Sequence, residues 1–130
     1  MKKLTLLLLF AVGCAISPYR QSTVDTAESL RDQSTALMAK AVEPFTDHSD
    51  SVAALRERLL GALRSESARA ENSESIAQWG LLADPEGALL GGFLTRWEQR
   101  GTLGQLFVNA KRTQVVAAFN IIIETERAKR

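Results

Sequence analysis

The 130-residue chain carries few side chains able to do covalent chemistry: one cysteine, Cys14, and one histidine, His48. His48 lies in Thr46-Asp47-His48-Ser49-Asp50-Ser51, with carboxylates and hydroxyls on both sides. A histidine base that activates a serine needs such groups, but no Gly-x-Ser-x-Gly turn is present to expose the nucleophile. In a polar turn of this kind the ring is expected to face solvent, and catalysis through it is not expected. The same turn spaces Asp47, Ser49 and Ser51 like the opening of a calcium loop. Val52 stands where that loop needs glycine and Arg58 where it needs glutamate, so the match fails. Glu124 and Glu126 have the residue types of a glycosidase pair, yet their basic neighbours make a solvated charged face the expectation. Phosphate-loop and dinucleotide fingerprints are absent. One cysteine excludes an internal disulfide, and together with one histidine it leaves no ligand set for structural zinc. The sequence therefore predicts no catalytic residue, no metal and no cofactor. Its one reactive group is the Cys14 thiol, the strongest nucleophile among ordinary side chains.

Cys14 follows a short positive start, Met1-Lys2-Lys3, and an apolar stretch from Leu4 to Val12. That order, closing on small residues, is the pattern of an export signal. The apolar stretch is about nine residues, against about 20 for a helix that spans a bilayer. Ala11-Val12-Gly13-Cys14 resembles the lipobox of bacterial lipoproteins, with Ala11 where leucine is usual. The resemblance covers the signal region alone. It implies that the Cys14 thiol is joined to a diacylglyceryl group, that the chain is cut before Cys14, and that the new amino end is acylated, as by palmitate. Two or more acyl chains anchor stably where one binds marginally. A plain secretory signal cut around Gly13-Cys14-Ala15 is the alternative. In Gram-negative lipoproteins an aspartate after the cysteine often marks retention in the inner membrane. Ala15 stands there instead, so the resemblance implies the periplasmic face of the outer membrane, provided the source is such a bacterium.

The expected organisation is a signal peptide over 1–13, a lipidated cysteine and short linker over 14–21, and a single helical domain over 22–130. The whole chain has a formal net charge of +1. Removing Lys2 and Lys3 with the signal leaves 14 basic against 15 acidic side chains. So balanced a surface has no electrostatic grip on nucleic acid. Membrane lipid through Cys14 and a protein partner or second copy are the expected partners, with no small-molecule substrate inferred.

Four or five stretches carry helical signals, depending on whether 73–83 is separate from the second. Ser22 to Asp25 resembles a capping box, and Val24, Ala27, Leu30, Leu37, Met38, Ala41 and Val42 share one face, which predicts a helix over 22–43 ended by Pro44. Val52, Leu55, Leu59, Ala62 and Leu63 form a second stripe. Residues 65–75 hold almost no large apolar side chain and read as an exposed helix end or a loop. A short helix is expected over 73–83. Asp84-Pro85-Glu86-Gly87 signals a further helix start, and Gly101 its end. Gly91-Gly92 lies inside that helix, as a close-packing site or a local break. Thr102 to Gln105 resembles a second capping box and predicts a last helix over 103–127.

That last helix has apolar residues on several sides. Leu103, Leu106, Phe107, Ala110, Ala117, Ala118 and Ile121 make one face; Val108, Val115, Phe119 and Ile122 make another; Val116 and Ile123 add a third direction. A helix so apolar is expected to be buried on most sides. The fold class is all-α, a small bundle of four or five helices with this one at its centre or interface. Trp97, Phe119, Ile122 and Ile123 are the candidate partner contacts. The expected function is that of an envelope lipoprotein acting as a protein-binding or assembly module. The alternatives are a membrane-active lysis or exclusion factor working through the stretch 81–97, and an enzyme with an unmatched site.

Overall fold

The computed structural model describes residues 15–130. The signal segment and Cys14 lie outside the described residues. Among the described residues there are five α-helices and no strand, the all-helical bundle that the apolar periodicity predicts. The helices are α1 (Gln21–Met38), α2 (Ser49–Ser67), α3 (Ser73–Ala83), α4 (Leu90–Arg100) and α5 (Gln105–Arg127).

Several boundaries differ from the sequence expectation, each for a physical reason. The first α-helix stops at Met38, and the chain tightens into a 3-10 turn over Ala39–Val42. Glu43 is then extended (φ −95°, ψ 163°), as a residue before proline must be. Neither capping box forms: Arg20 and Gly104 occupy the N-cap positions of α1 and α5, and no side chain caps either helix. Asp84 caps a turn instead of a helix. Its Oδ1 accepts from the Glu86 N–H (2.9 Å) and its carbonyl from the Gly87 N–H (3.0 Å). Proline at the second position suits that turn as well as it suits a helix start. The fourth helix therefore begins only at Leu90.

Gly91 and Gly92 resolve as a close approach within the chain. A Cβ on Gly91 would lie 2.3 Å from the Ala83 carbonyl oxygen, and one on Gly92 1.7 Å from that of Gly87. The absence of side chains lets the first turn of α4 rest against the end of α3 and the turn that follows it.

Each helix sends its apolar stripe into one core. Val24, Ala27, Leu30 and Met38 come from α1; Val52, Leu55 and Leu59 from α2; Trp79 and Leu82 from α3. Leu90, Phe93, Leu94 and Trp97 come from α4, and Val108, Val115, Phe119, Ile122 and Ile123 from α5. Trp79 meets Phe119 edge to face, with centroids 6.1 Å apart. The last helix packs against both α1 and α3, so it is central. It is not buried on most sides, however. The core takes the Val108–Val115–Phe119–Ile122 face together with Ile123. The face carrying Leu106, Ala110, Ala117 and Ile121 is exposed.

The helices place the functional features at two poles. The start of α1, the α2–α3 turn and the end of α5 gather at one pole, tied by the contacts described next. The far pole holds the α1–α2 connection, the end of α4 and the start of α5. There the Phe45 N–H donates to the Gly101 carbonyl (2.7 Å), and the Leu103 N–H to the Ala41 carbonyl (2.8 Å). The 23 residues of α5 run the distance between the poles, about 35 Å.

Candidate functional site

The stretch 65–75, poor in large apolar residues, is the end of α2 and the turn into α3, mostly exposed as expected, but it turns every third side chain inward. Glu66, Arg69, Asn72 and Ser75 recur every third residue, and all four are buried. The second helix continues to Ser67, a short turn follows, and α3 starts at Ser73. The polar side chains of this turn build an ionic cluster that replaces apolar core at the near pole.

Arg69 is its hub. Its Nη1 donates to Glu66 Oε2 (2.9 Å) and to Glu126 Oε1, and its Nη2 to Glu126 Oε2 (3.4 Å). Thr23 Oγ1, from α1, donates to Glu66 Oε1 (2.7 Å). Asn72 Nδ2 donates to Glu66 Oε2 (2.7 Å) and to the Glu66 carbonyl (3.0 Å). Lys129 Nζ, just past α5, donates to Asn72 Oδ1 (2.6 Å), Ser75 Oγ (3.1 Å) and Glu126 Oε1 (3.4 Å). Two carboxylates thus face two cations, and each charge has several partners, the condition under which burying charge is tolerable.

The electrostatics follow. Burial pushes the Glu126 carboxyl up, but the Arg69 hydrogen bond and the Lys129 charge outweigh it and hold the carboxyl below its ordinary value. The hydrogen bond to Glu126, opposed by burial, raises Arg69 above its ordinary value. Both groups stay ionised at neutral pH. Glu126, expected on a solvated charged face, is fully buried, whereas Glu124 is exposed beside Arg127. Two positions apart on a helix, the carboxylates point to opposite sides, Glu126 into the interior and Glu124 into solvent, so they do not face one substrate site.

The cluster also holds the segment that precedes α1. Arg69 Nη2 donates to the Pro18 carbonyl (2.6 Å). The Ser17 N–H donates to the Glu71 carbonyl (3.0 Å), and Ser17 Oγ to the Ala70 carbonyl. Ser17 is 1% exposed. Arg130 lies over the Tyr19 ring at 5.3 Å. The expected short linker over 14–21 is docked from Ser17 onward, because the α2–α3 turn presents carbonyls that Ser17 satisfies, and its last residue, Gln21, already belongs to α1.

The four candidate partner contacts are not available for contact. Trp97 and Phe119 are fully buried, and Ile122 and Ile123 are 1% and 2% exposed. Their side chains point at the other helices, and the Trp97 Nε1 donates to the Glu43 carbonyl (3.0 Å). His48 is not free in solvent either. Its Nε2 lies 2.7 Å from Glu43 Oε2, and its ring packs on Trp97 with centroids 5.5 Å apart. Of the stretch 81–97, Leu82, Leu90, Phe93, Leu94 and Trp97 belong to the core, and Leu81 is the exposed leucine.

Two surface features went unread in the sequence. A groove of about 440 Å³ lies between the 85–88 turn, α4 and the first turns of α5. Phe93 and Phe107 stack at its base, and the Arg96 guanidinium lies 4.7 Å from the Phe107 centroid. Lys111 Nζ closes one side by donating to the Ala88 carbonyl (3.0 Å). The second feature is the exposed stripe on α5. Leu106 is 87% exposed and Ile121 56%, with Ala110, Thr113 and Ala117 exposed between them. The 106, 110, 113, 117, 121 spacing keeps these residues on one side of a helix. In the sequence it is one of three apolar directions on the helix, and Leu103, Phe107 and Ala118, expected on the same face, pack on the core instead.

Among the described residues no cluster of histidine, cysteine and acidic side chains is able to hold a metal, and no helix is long and apolar enough to cross a membrane. Comparison with protein-family models, curated proteins and solved structures gives no match.

Proposed function

We propose that the protein is an envelope lipoprotein, anchored through a diacylated Cys14, whose helical domain is a protein-binding or assembly module and not an enzyme. The exposed stripe Leu106–Ala110–Thr113–Ala117–Ile121 is the observation that carries the binding role. It leaves one side of the central helix with apolar and small side chains in water, a surface suited to close packing by another helix. The stripe takes over the role that the sequence assigned to Trp97, Phe119, Ile122 and Ile123. The anchor is supported by the signal pattern ending at Gly13-Cys14.

A photo-crosslinking residue at Ala117 in cells tests the binding role. The expected result is one discrete protein adduct, either a second copy or another envelope protein, that disappears when Ile121→Lys is added. No adduct, or an adduct indifferent to Ile121→Lys, overturns it. Mass spectrometry of the mature amino end tests the anchor: a diacylglyceryl-cysteine is expected, and a free amine at Ala15 or Ile16 overturns it.

A further inference from the structure

We infer that the pole formed by the α2–α3 turn and the adjoining ends of α1 and α5 is the face that the domain turns to a lipid bilayer, held there by the clasp on Ser17 and Pro18. The inference rests on the lipidation of Cys14 proposed above and adds a fixed orientation to it.

The argument is one of reach. Ser17 is fixed by its own N–H and hydroxyl to the Glu71 and Ala70 carbonyls, and Pro18 by Arg69. Only Ala15 and Ile16 separate Ser17 from Cys14. Three Cα steps cover at most about 11 Å. A lipid on Cys14 therefore brings the α2–α3 turn to the headgroups. The far pole, one α5 length away, has no such route to the surface. Ile16 is 60% exposed beside this turn and is the first large apolar side chain after Cys14.

Charge does not select this face. Arg20 and Arg130 are exposed there, but so are Glu71 and Glu74. With no local excess of either sign, the orientation comes from the clasp, and salt leaves it unchanged. The bundle then stands on its near pole. The groove beside Arg96 and Lys111 faces away from the lipid, and the α5 stripe runs up the side of the domain, open to a partner.

The test uses the lipidated full-length chain. Cys14 is the sole native cysteine, and a thioether removes its thiol, so an introduced cysteine is the one group that takes a maleimide fluorophore. Glu74→Cys reports on the near pole and Gln105→Cys on the far pole. Each protein is reconstituted in phosphatidylcholine vesicles containing a headgroup-quencher lipid, after mass spectrometry of Cys14. The expected result is several-fold stronger quenching at position 74 than at 105, at low and high salt alike. Equal quenching, or stronger quenching at 105, overturns the orientation. A flexible Gly-Ser insertion between Ala15 and Ile16 leaves the clasp intact and lengthens the leash. It is expected to weaken the quenching at position 74, and no change overturns the inference. An unmodified Cys14 overturns the anchor and the orientation together, whereas a lipidated chain with equal quenching overturns the orientation alone.

Discussion

Arg69 and Glu126 stand 57 residues apart in the sequence and meet as a two-point ion pair inside the protein, with side chains 3% and 1% exposed. The pair fastens the end of α5 to the α2–α3 turn, and the same guanidinium holds Pro18. One side chain thus ties the domain to the segment that leads to Cys14. Removing it leaves the buried Glu66 without a cation and Glu126 with Lys129 alone. Arg69→Met is expected to cost about 3–5 kcal/mol, the range for breaking a buried pair from one side. Urea denaturation of the domain measures it. Arg69→Lys is expected to recover only part of the loss, because an ammonium lacks the fork that reaches Glu66, Glu126 and Pro18 together.

Acid should act through the same pair. The Glu126 carboxyl is held below its ordinary value of 4.5 by Arg69 and Lys129, against the effect of burial. A carboxyl with a lowered value in the folded state contributes stability above its unfolded value. That contribution is lost as pH falls below about 4.5 toward the folded value, since the unfolded chain takes up the proton first. Stability measured from pH 7 to pH 2 should therefore fall in that window. Glu126→Gln should lower the neutral-pH plateau and flatten this part of the profile. An unaltered profile in the variant would assign the acid transition to other carboxylates.

Gly61 and Gly92 both lie inside helices, and alanine substitution separates them. Gly61 sits inside α2, exposed, with nothing within 4 Å of a new Cβ. Gly61→Ala is expected to stabilise by about 0.5–1 kcal/mol through helix propensity. Gly92→Ala puts a Cβ against the Gly87 carbonyl, a backbone atom that cannot turn aside as a side chain would. It is expected to lower the melting temperature while Gly61→Ala raises it.

Neighbouring isoleucines on α5 should behave in opposite ways. Ile122 is 1% exposed and Ile121 56%. Ile122→Ala is expected to cost about 2–5 kcal/mol in unfolding free energy. Ile121→Ala should leave stability nearly unchanged and weaken the crosslink formed at Ala117. Equal stability losses at the two positions would place both in the core.

Local signals carried the sequence reading where one element settles its own structure. The stripe Val24–Ala27–Leu30 has helical spacing and forms a helix face, and Pro44 keeps Glu43 extended, although α1 already stops at Met38. The short helix over 73–83 lies where its apolar content resumes. Local signals failed where a cap or a face depends on what packs against it. Asp84-Pro85 fits a helix start and a turn equally, and the rest of α3 and α4 chose the turn. The Glu66–Arg69–Asn72–Ser75 spacing was in plain view, but polar residues read as surface until partners from α1 and α5 are in place.

By itself the sequence determined the all-helical class and the helical stripes. These depend on residue type and spacing along the chain. Tertiary structure decided which apolar face of α5 enters the core and which stays in water. It also decided that Glu126 is buried while Glu124 is not, and that Ser17 is held against the α2–α3 turn. Those outcomes require side chains brought together from distant parts of the chain. A single helix with two apolar faces, or a charge with no partner yet beside it, has no means of encoding them.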